Sequence, residues 1–470
     1  MGNQDISLTA HLMRRAGFGA TRAELEAKVE QGYDATVEEL LDTDAPTGLE
    51  HDLLWRYHTD HSTGNGMGGM TANWLYRMIN SKTPLQEKVS LFWHGVFATG
   101  YAKLAQGRPL MDQHRMFREH GMGSLRSLLV QLSKDPSMII WLDNHDNHKG
   151  ATNENYAREL LELFSMGVGN YSDEDVKVCA RAFTGWTVAN TEYMDIRAVN
   201  DSLWPYGRLN PHYEYRTDDH DDEEITFLGH TGHFSGEDVI DIICQQPATG
   251  RFIARQLYSF FVADEPPVPQ WPYMEPQDPA AIDMLTKVYF DSGYDIRSML
   301  RALFKSDFFR ARESWYSKIK SPADLVAGTL RLTGEFQRPH PKLQTASSTM
   351  ILMGQTLGNP PSVEGWHEGV EWVDTGNLVT RVNFASSTFG DPGKPGIKDM
   401  IVSLEADSEA MASPAHMVQG CLDQMGAVEV SDETRTALVD HASKLVGQAG
   451  EDQVAEMLRL VTSTPEFQRA

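Results

Sequence analysis

Apolar residues recurring at a helical period, the shortage of alternating β-prone runs and the absence of any repeat predict a mainly α fold. The expected form is a multi-helical, orthogonal or bundle-like domain with one small β-hairpin and a C-terminal helical segment. Leu125, Leu128, Leu129 and Leu132 fall at i, i+3, i+4 and i+7, and the stretch stops at Lys134-Asp135-Pro136, since proline ends a helix at the residue before it. Comparable spacing recurs in 22–42, 71–80, 85–98, 154–166, 174–184, 238–245, 250–262, 280–290, 296–305, 322–334, 347–357, 432–447 and 451–461. The exception is 200–235, where His212-Tyr213-Glu214-Tyr215 and Ile225-Thr226-Phe227-Leu228 flank an acidic turn, the pattern of a hairpin. Pro-rich 264–278 breaks the helical pattern, and so does Gly390-Asp-Pro-Gly-Lys-Pro-Gly-Ile397. The second break reads as a linker, giving a domain over 1–390, with its hairpin insertion near 205–235, and a helical segment over 398–470.

Composition excludes several function classes. The 470 residues carry 66 acidic against 41 basic side chains, a formal charge of −25, so nucleic acid and anionic membrane surfaces are disfavoured partners. Cys179, Cys244 and Cys421 are odd in number, far apart and without CxxC spacing; they read as buried thiols, not a disulfide or zinc framework. No run approaches a membrane span, and Met1–Ala10 lacks a basic stretch followed by an apolar one. The expected location is cytoplasmic.

Four segments hold residue types suited to chemistry. In 85–98 the stripe Leu85, Val89, Phe92, Val96 leaves Glu87 and His94 on the other side. His94 is then a metal ligand or general base if that face lines a cleft, and a packed histidine otherwise. His114, Arg115, Arg118, Glu119 and His120 follow on the next helix and read as a charged face. The loop 143–154 places Asp143, Asn147 and Glu154 at positions one, five and twelve of a calcium loop, but His145 and His148 occupy the third position and the required glycine. The motif fails. Beyond it, Glu154, Arg158, Glu159 and Glu162 lie opposite Ala157, Leu160, Leu161 and Phe164, either as exposed i,i+4 pairs or as a second, polar buried layer. The acidic turn around His220-Asp221 is a solvated turn or a set of metal ligands. Trp186, Trp366 and Trp372 offer stacking faces for a sugar-like ligand or simple core packing.

Several of these segments together resemble the bacterial family known as domain of unknown function 1800. The likeness runs through His11-Leu-Met-Arg14-Arg15-Ala-Gly17-Phe18-Gly19, Phe92-Trp93-His94, Asn153 to Gly169, Ala180-Arg181-Ala-Phe-Thr184-Gly185-Trp186 and His220-Asp221 with Phe227-Leu228-Gly229. It continues through Asp238-Val-Ile-Asp-Ile-Ile, Arg251 to Arg255, Lys320-Ser321-Pro322, the Pro360–Trp372 corner and Arg381-Val-Asn383-Phe384, spanning about residues 8–386. Two positions depart from the family pattern: Val96 stands where a second histidine usually follows Trp-His, and Glu223 and Ile225 replace Gly and Lys after His-Asp. The resemblance implies a helical protein whose gene neighbours a relative of the alkaline phosphatase and sulfatase superfamily, hence a protein partner of that kind and export alongside a signal-bearing partner as the alternative location. On these residues the chain is expected to be a hydrolase-type enzyme, with or without a divalent metal. His94 is then ligand or base, Glu159 or Glu162 acid or ligand, Arg158 an anion clamp, and His94, Glu159, His220 and Asp221 the metal set. The alternative is a non-enzymatic assembly or binding protein.

Overall fold

The computed structural model describes residues 3–57, 66–104, 107–189, 211–266, 274–408, 412–445 and 450–470. Helices dominate, and their starts are written into the sequence. Thr21 with Glu24, Ser172 with Asp175, Ser235 with Asp238 and Ser321 with Asp324 form reciprocal capping boxes, each satisfying backbone donors that the first turn leaves open. The expected helix over 22–42 is two helices, Arg22–Gln31 and Tyr33–Leu40, because Gly32 sits at φ +95° between them, a conformation that side chains with a Cβ avoid.

The buried apolar residues divide into two large cores and a small cluster of Met70, Leu104 and Leu110. One gathers the helices Asn3–Arg15, Gly107–His120, Leu125–Ser133, Asn155–Glu162, Asp173–Ala182, Gly236–Cys244, Pro247–Phe261, Pro279–Asp291 and Ile296–Lys305. The other joins Gly66–Asn80 to Pro322–Thr333, Leu343–Leu352, Thr375–Phe389, Pro395–Ala406, Pro414–Gln424, Asp432–Leu445 and Gly450–Val461. Helix Pro84–Val96 runs between them: Leu85, Val89, Phe92 and Trp93 belong to the first core and Leu91 to the second. Every residue from Pro84 to His94 is buried, which is why this helix is apolar nearly all round. The Gly/Pro stretch 390–397 is a tight turn into helix Pro395–Ala406. There Gly396 lies so close to helix Pro322–Thr333 that a Cβ would stand 2.3 Å from the Leu332 carbonyl oxygen. All three cysteines are buried free thiols.

The β structure differs from the expected hairpin, although residues 190–210 of that region lie outside the described ones. His212–Tyr215 pairs antiparallel with Trp186–Ala189, while Ile225–Phe227 pairs with His230–Gly232. The reason is local. Leu228 (φ 45°) and Gly229 (φ 82°) form a two-residue turn whose paired positive φ values match the twist of a hairpin. The acidic stretch before it is held elsewhere: Asp219 bonds the Lys149 N–H and His148, and Asp221 binds Arg181 at 2.7 Å.

Candidate functional site

A cavity of about 440 Å³ opens between the two cores, walled by the end of helix Pro84–Val96, helix Pro247–Phe261, Asp264–Pro266 and the 364–370 corner. The corner is seated by a close approach: Gly365, at φ +87°, leaves room for a Cβ only 2.4 Å from the Gly95 carbonyl oxygen. That contact turns Trp366 into the cavity wall, with Glu364, His367 and Glu368 beside it. Across the cavity Arg255 and Glu265, both almost wholly buried, lie 3.4 Å apart. Arg255 also donates to the Met274 and Pro266 carbonyls at 3.0 and 3.2 Å. Asp264 receives Lys318 at 2.7 Å.

Glu159 is not itself on the cavity wall. It lies one turn before Leu163, whose N–H it accepts at 2.9 Å and whose side chain lines the cavity. Among the described residues it makes no ion pair. Burial, then the charges of Glu162 and Glu364 against that of Arg158, push its carboxyl up to about 7, because desolvation and like charges disfavour the ionised form. Glu162 is held differently, accepting the Tyr171 hydroxyl at 2.6 Å. Arg158 is engaged with Glu154 at 3.1 Å and Asp173 at 3.6 Å.

His94 lies elsewhere. Its ring is fully buried among Trp74, His114 and Trp366, with centroids 4.8 to 5.5 Å away. Nε2 accepts the Gly358 N–H at 3.1 Å, so the ring is neutral with its proton on Nδ1. Burial alone pushes its pKa down to about 3, and no carboxylate charge counters that fall; His94 and Glu159 therefore do not form a pair. What links them is the corner, whose Glu364 charge acts on Glu159 and whose Trp366 ring lies against His94. Glu87, on the same helix, turns instead to Arg118, which reaches both its oxygens at 2.8 Å.

The four residues expected to share a metal are not brought together. His220 Nδ1 bonds the Thr184 carbonyl at 3.0 Å, and Asp221 is bound by Arg181; both fasten the strand region to helix Asp173–Ala182. Among the described residues, the one group of three or more such ligands within 4.8 Å of one another is Asp143, His145 and Asp146, and Asp143 is paired with Lys103 at 2.5 Å. Asn144 and Asn147 in that loop donate to the Trp186 and Ala180 carbonyls at 2.8 Å, so much of its polarity is structural. Of the tryptophans, Trp366 lines the large cavity and Trp372 a smaller one next to it. Trp186 packs edge-on against Phe183 and Tyr213 in the first core.

Sequence reasoning did not single out Lys88, Arg255, Asp264, Lys318 or Asp324, although Arg255 stands within a family segment. Lys88 pairs with Asp324 across the boundary between the cores, with 5% and 18% of the two side chains exposed. A signal was present: a helix apolar on all sides that still carries Glu87, Lys88 and His94 must bury charge, and buried charge needs partners.

A mainly helical protein with a polar cavity at the seam of two cores is the class these features define. The chain belongs to the family described as Protein of unknown function (DUF1800), whose model matches residues 11–469. The match runs beyond residue 386 through the last helices, which share the second core. Neither the curated proteins nor the solved structures contain a match. Among the described residues no helix is long and apolar enough to cross a membrane.

Proposed function

We propose that the inter-core cavity is a hydrolytic acid/base site in which Glu159 gives its proton to the leaving group of a sugar-like ligand lying against Trp366. The observation that carries this reading is a half-buried carboxyl, free of ion pairs among the described residues and raised to about 7, one helical turn from Leu163 of the cavity wall. A group titrating near working pH serves as donor and then as acceptor. Glu162 and Glu364 supply the second carboxylate that glycoside-type hydrolysis uses. His94, too reluctant to protonate to act as a base, is a positioning residue that braces Trp366.

A second reading is a non-catalytic binding or assembly protein working with a phosphatase- or sulfatase-like partner. It is favoured by the paired charges at the seam, Lys88 with Asp324 and Arg255 with Glu265, which also fix packing. The test offers aryl glycosides, neutral and acidic, to the wild type and to Glu159→Gln between pH 5 and 9. The expected result is phenol release that falls above about pH 7 and drops on the order of a hundred-fold in the variant with its fold intact. No release from any member, or equal release by both proteins, favours the second reading.

A further inference from the structure

Arg14 and Arg15 end the first helix, adjacent in sequence, with 9% and 3% of their surface exposed. In a chain of net charge −25, neither meets a carboxylate among the described residues. Arg15 spends one nitrogen on the Val262 and Ser314 carbonyls and the Ser317 hydroxyl, at 2.8 to 3.0 Å. Among the described residues Arg14 reaches only the Gly426 carbonyl, at 3.3 Å, and it lies over the Tyr316 ring at 4.7 Å. Each guanidinium keeps a buried Nε without a hydrogen-bond partner. Buried donors are rarely left so, since an unmet one costs about 1–3 kcal/mol.

Both arginines line a small cavity of about 30 Å³, together with Lys88, Lys318, Asp324 and Glu368. Four cationic side chains thus face the side chains of Asp324 and Glu368, with Ala470 also on the wall. Asp324 is already held by Lys88 and by the Ser321 cap, so it and Asp264 act on Arg15 only at a distance and neither arginine has a direct carboxylate partner among the described residues. A volume on the order of two water positions suits a carboxylate, or the outer oxygens of a sulfate or phosphate. The chamber shares Phe260, Ser321 and Glu368 with the large cavity, so the two adjoin.

We infer that this chamber is an oxyanion site, in which the acidic group of a ligand seated in the inter-core cavity is held by Arg14 and Arg15. Guanidinium groups make the strong, directional hydrogen bonds to oxyanions that such recognition needs. The inference rests on the cavity being a ligand site and does not require Glu159 to transfer a proton. It narrows the proposed substrate class to acidic sugars or their esters, and it stands if no hydrolysis is found.

The test uses the full chain with inorganic sulfate, inorganic phosphate and acetate, each against chloride at matched ionic strength. Unfolding midpoint and calorimetric binding are followed, and the three anions distinguish tetrahedral from carboxylate ligands. At least one oxyanion is expected to raise the midpoint saturably, with affinity falling about ten-fold in Arg14→Gln. The exposed control Arg301→Gln, which disturbs only the surface pair with Glu38, is expected to respond as wild type does. Should Arg14→Gln fail to fold, a tungstate soak of wild-type crystals decides: density bounded by Arg14 and Arg15 supports the site. Responses no larger than chloride's, an unaltered response in folded Arg14→Gln, or tungstate bound only elsewhere would overturn it.

Discussion

The pair of Lys88 and Asp324 ties helix Pro84–Val96, which runs between the cores, to helix Pro322–Thr333 of the second core, and its removal has a size that can be worked out. Asp324→Asn keeps an oxygen to cap helix Pro322–Thr333 but takes the counter-charge from an ammonium whose side chain is 5% exposed. Stranding a buried charge costs about 3–5 kcal/mol, and Asp324→Ala adds about 1 kcal/mol for the lost cap. Lys88→Met is milder, about 1–3 kcal/mol, because Asp324 keeps the Ser321 N–H and hydroxyl and 18% of its exposure. In the double variant Lys88→Met with Asp324→Asn no charge is stranded, so its loss should fall short of the sum of the singles by about 2–3 kcal/mol. Urea unfolding of the four proteins at low and high salt measures this, and salt should hardly alter the coupling because a dry pair is poorly screened. Additivity within about 0.5 kcal/mol, or a coupling that vanishes in salt, would show that water reaches the pair and refute the dry seam.

Asp135 makes the stability depend on pH. Burial pushes its carboxyl from an ordinary 3.8 up to about 7, although the Met138 N–H and Gln113 amide both donate to it. The folded state therefore favours the protonated form: stability is fully present below the unfolded value and is lost as pH climbs through about 7. Asp135→Asn should remove that slope and exceed wild type by about 4 kcal/mol at pH 8, as read from denaturant midpoints at pH 5 and pH 8; parallel profiles would contradict it. Gly365→Ala puts a Cβ at φ +87° and 2.4 Å from the Gly95 oxygen. Strain of about 1–2 kcal/mol, plus the clash, should lower the melting temperature and weaken any ligand of the Trp366 cavity, whereas a wild-type melt would mean the corner is not seated as described.

Helices were legible at segments such as Leu125–Ser133, whose stop at Asp135-Pro136 is also the start of the next helix, whereas Pro395–Ala406, with Ile397, Met400, Ile401 and Leu404 buried on one face, was not marked by its spacing. Helix Asn3–Arg15 escaped, because His11, Arg14 and Arg15 interrupt its apolar spacing although all three are buried. Periodicity reads a buried cation as a solvent face. The strand partners escaped for a related reason: His212–Tyr215 finds its mate across the undescribed stretch, and nearness in sequence favoured Ile225–Phe227. Of the candidate site, the polar face of Asn155–Glu162 was visible as a pattern, but whether it met a cavity depended on Glu364 and Trp366, some two hundred positions later. Spacing within one helix cannot report such a meeting. The family segments do better: Arg14-Arg15, Arg251–Arg255, Lys320-Ser321 and the Pro360–Trp372 corner are distant in sequence, yet all contribute to the two seam cavities or to the small one beside Arg14 and Lys320.

The second core takes helix Gly66–Asn80 from early in the chain and its other main helices from residue 322 onward. During synthesis that early helix emerges with its apolar face uncovered and must wait while residues 81–321 are made, even as the first core can already collapse around them. Closing so long a loop is slow, and an exposed apolar face in the interim invites aggregation. Nascent chains stalled before residue 322 should therefore be clients for holdase chaperones, released once the last helices arrive.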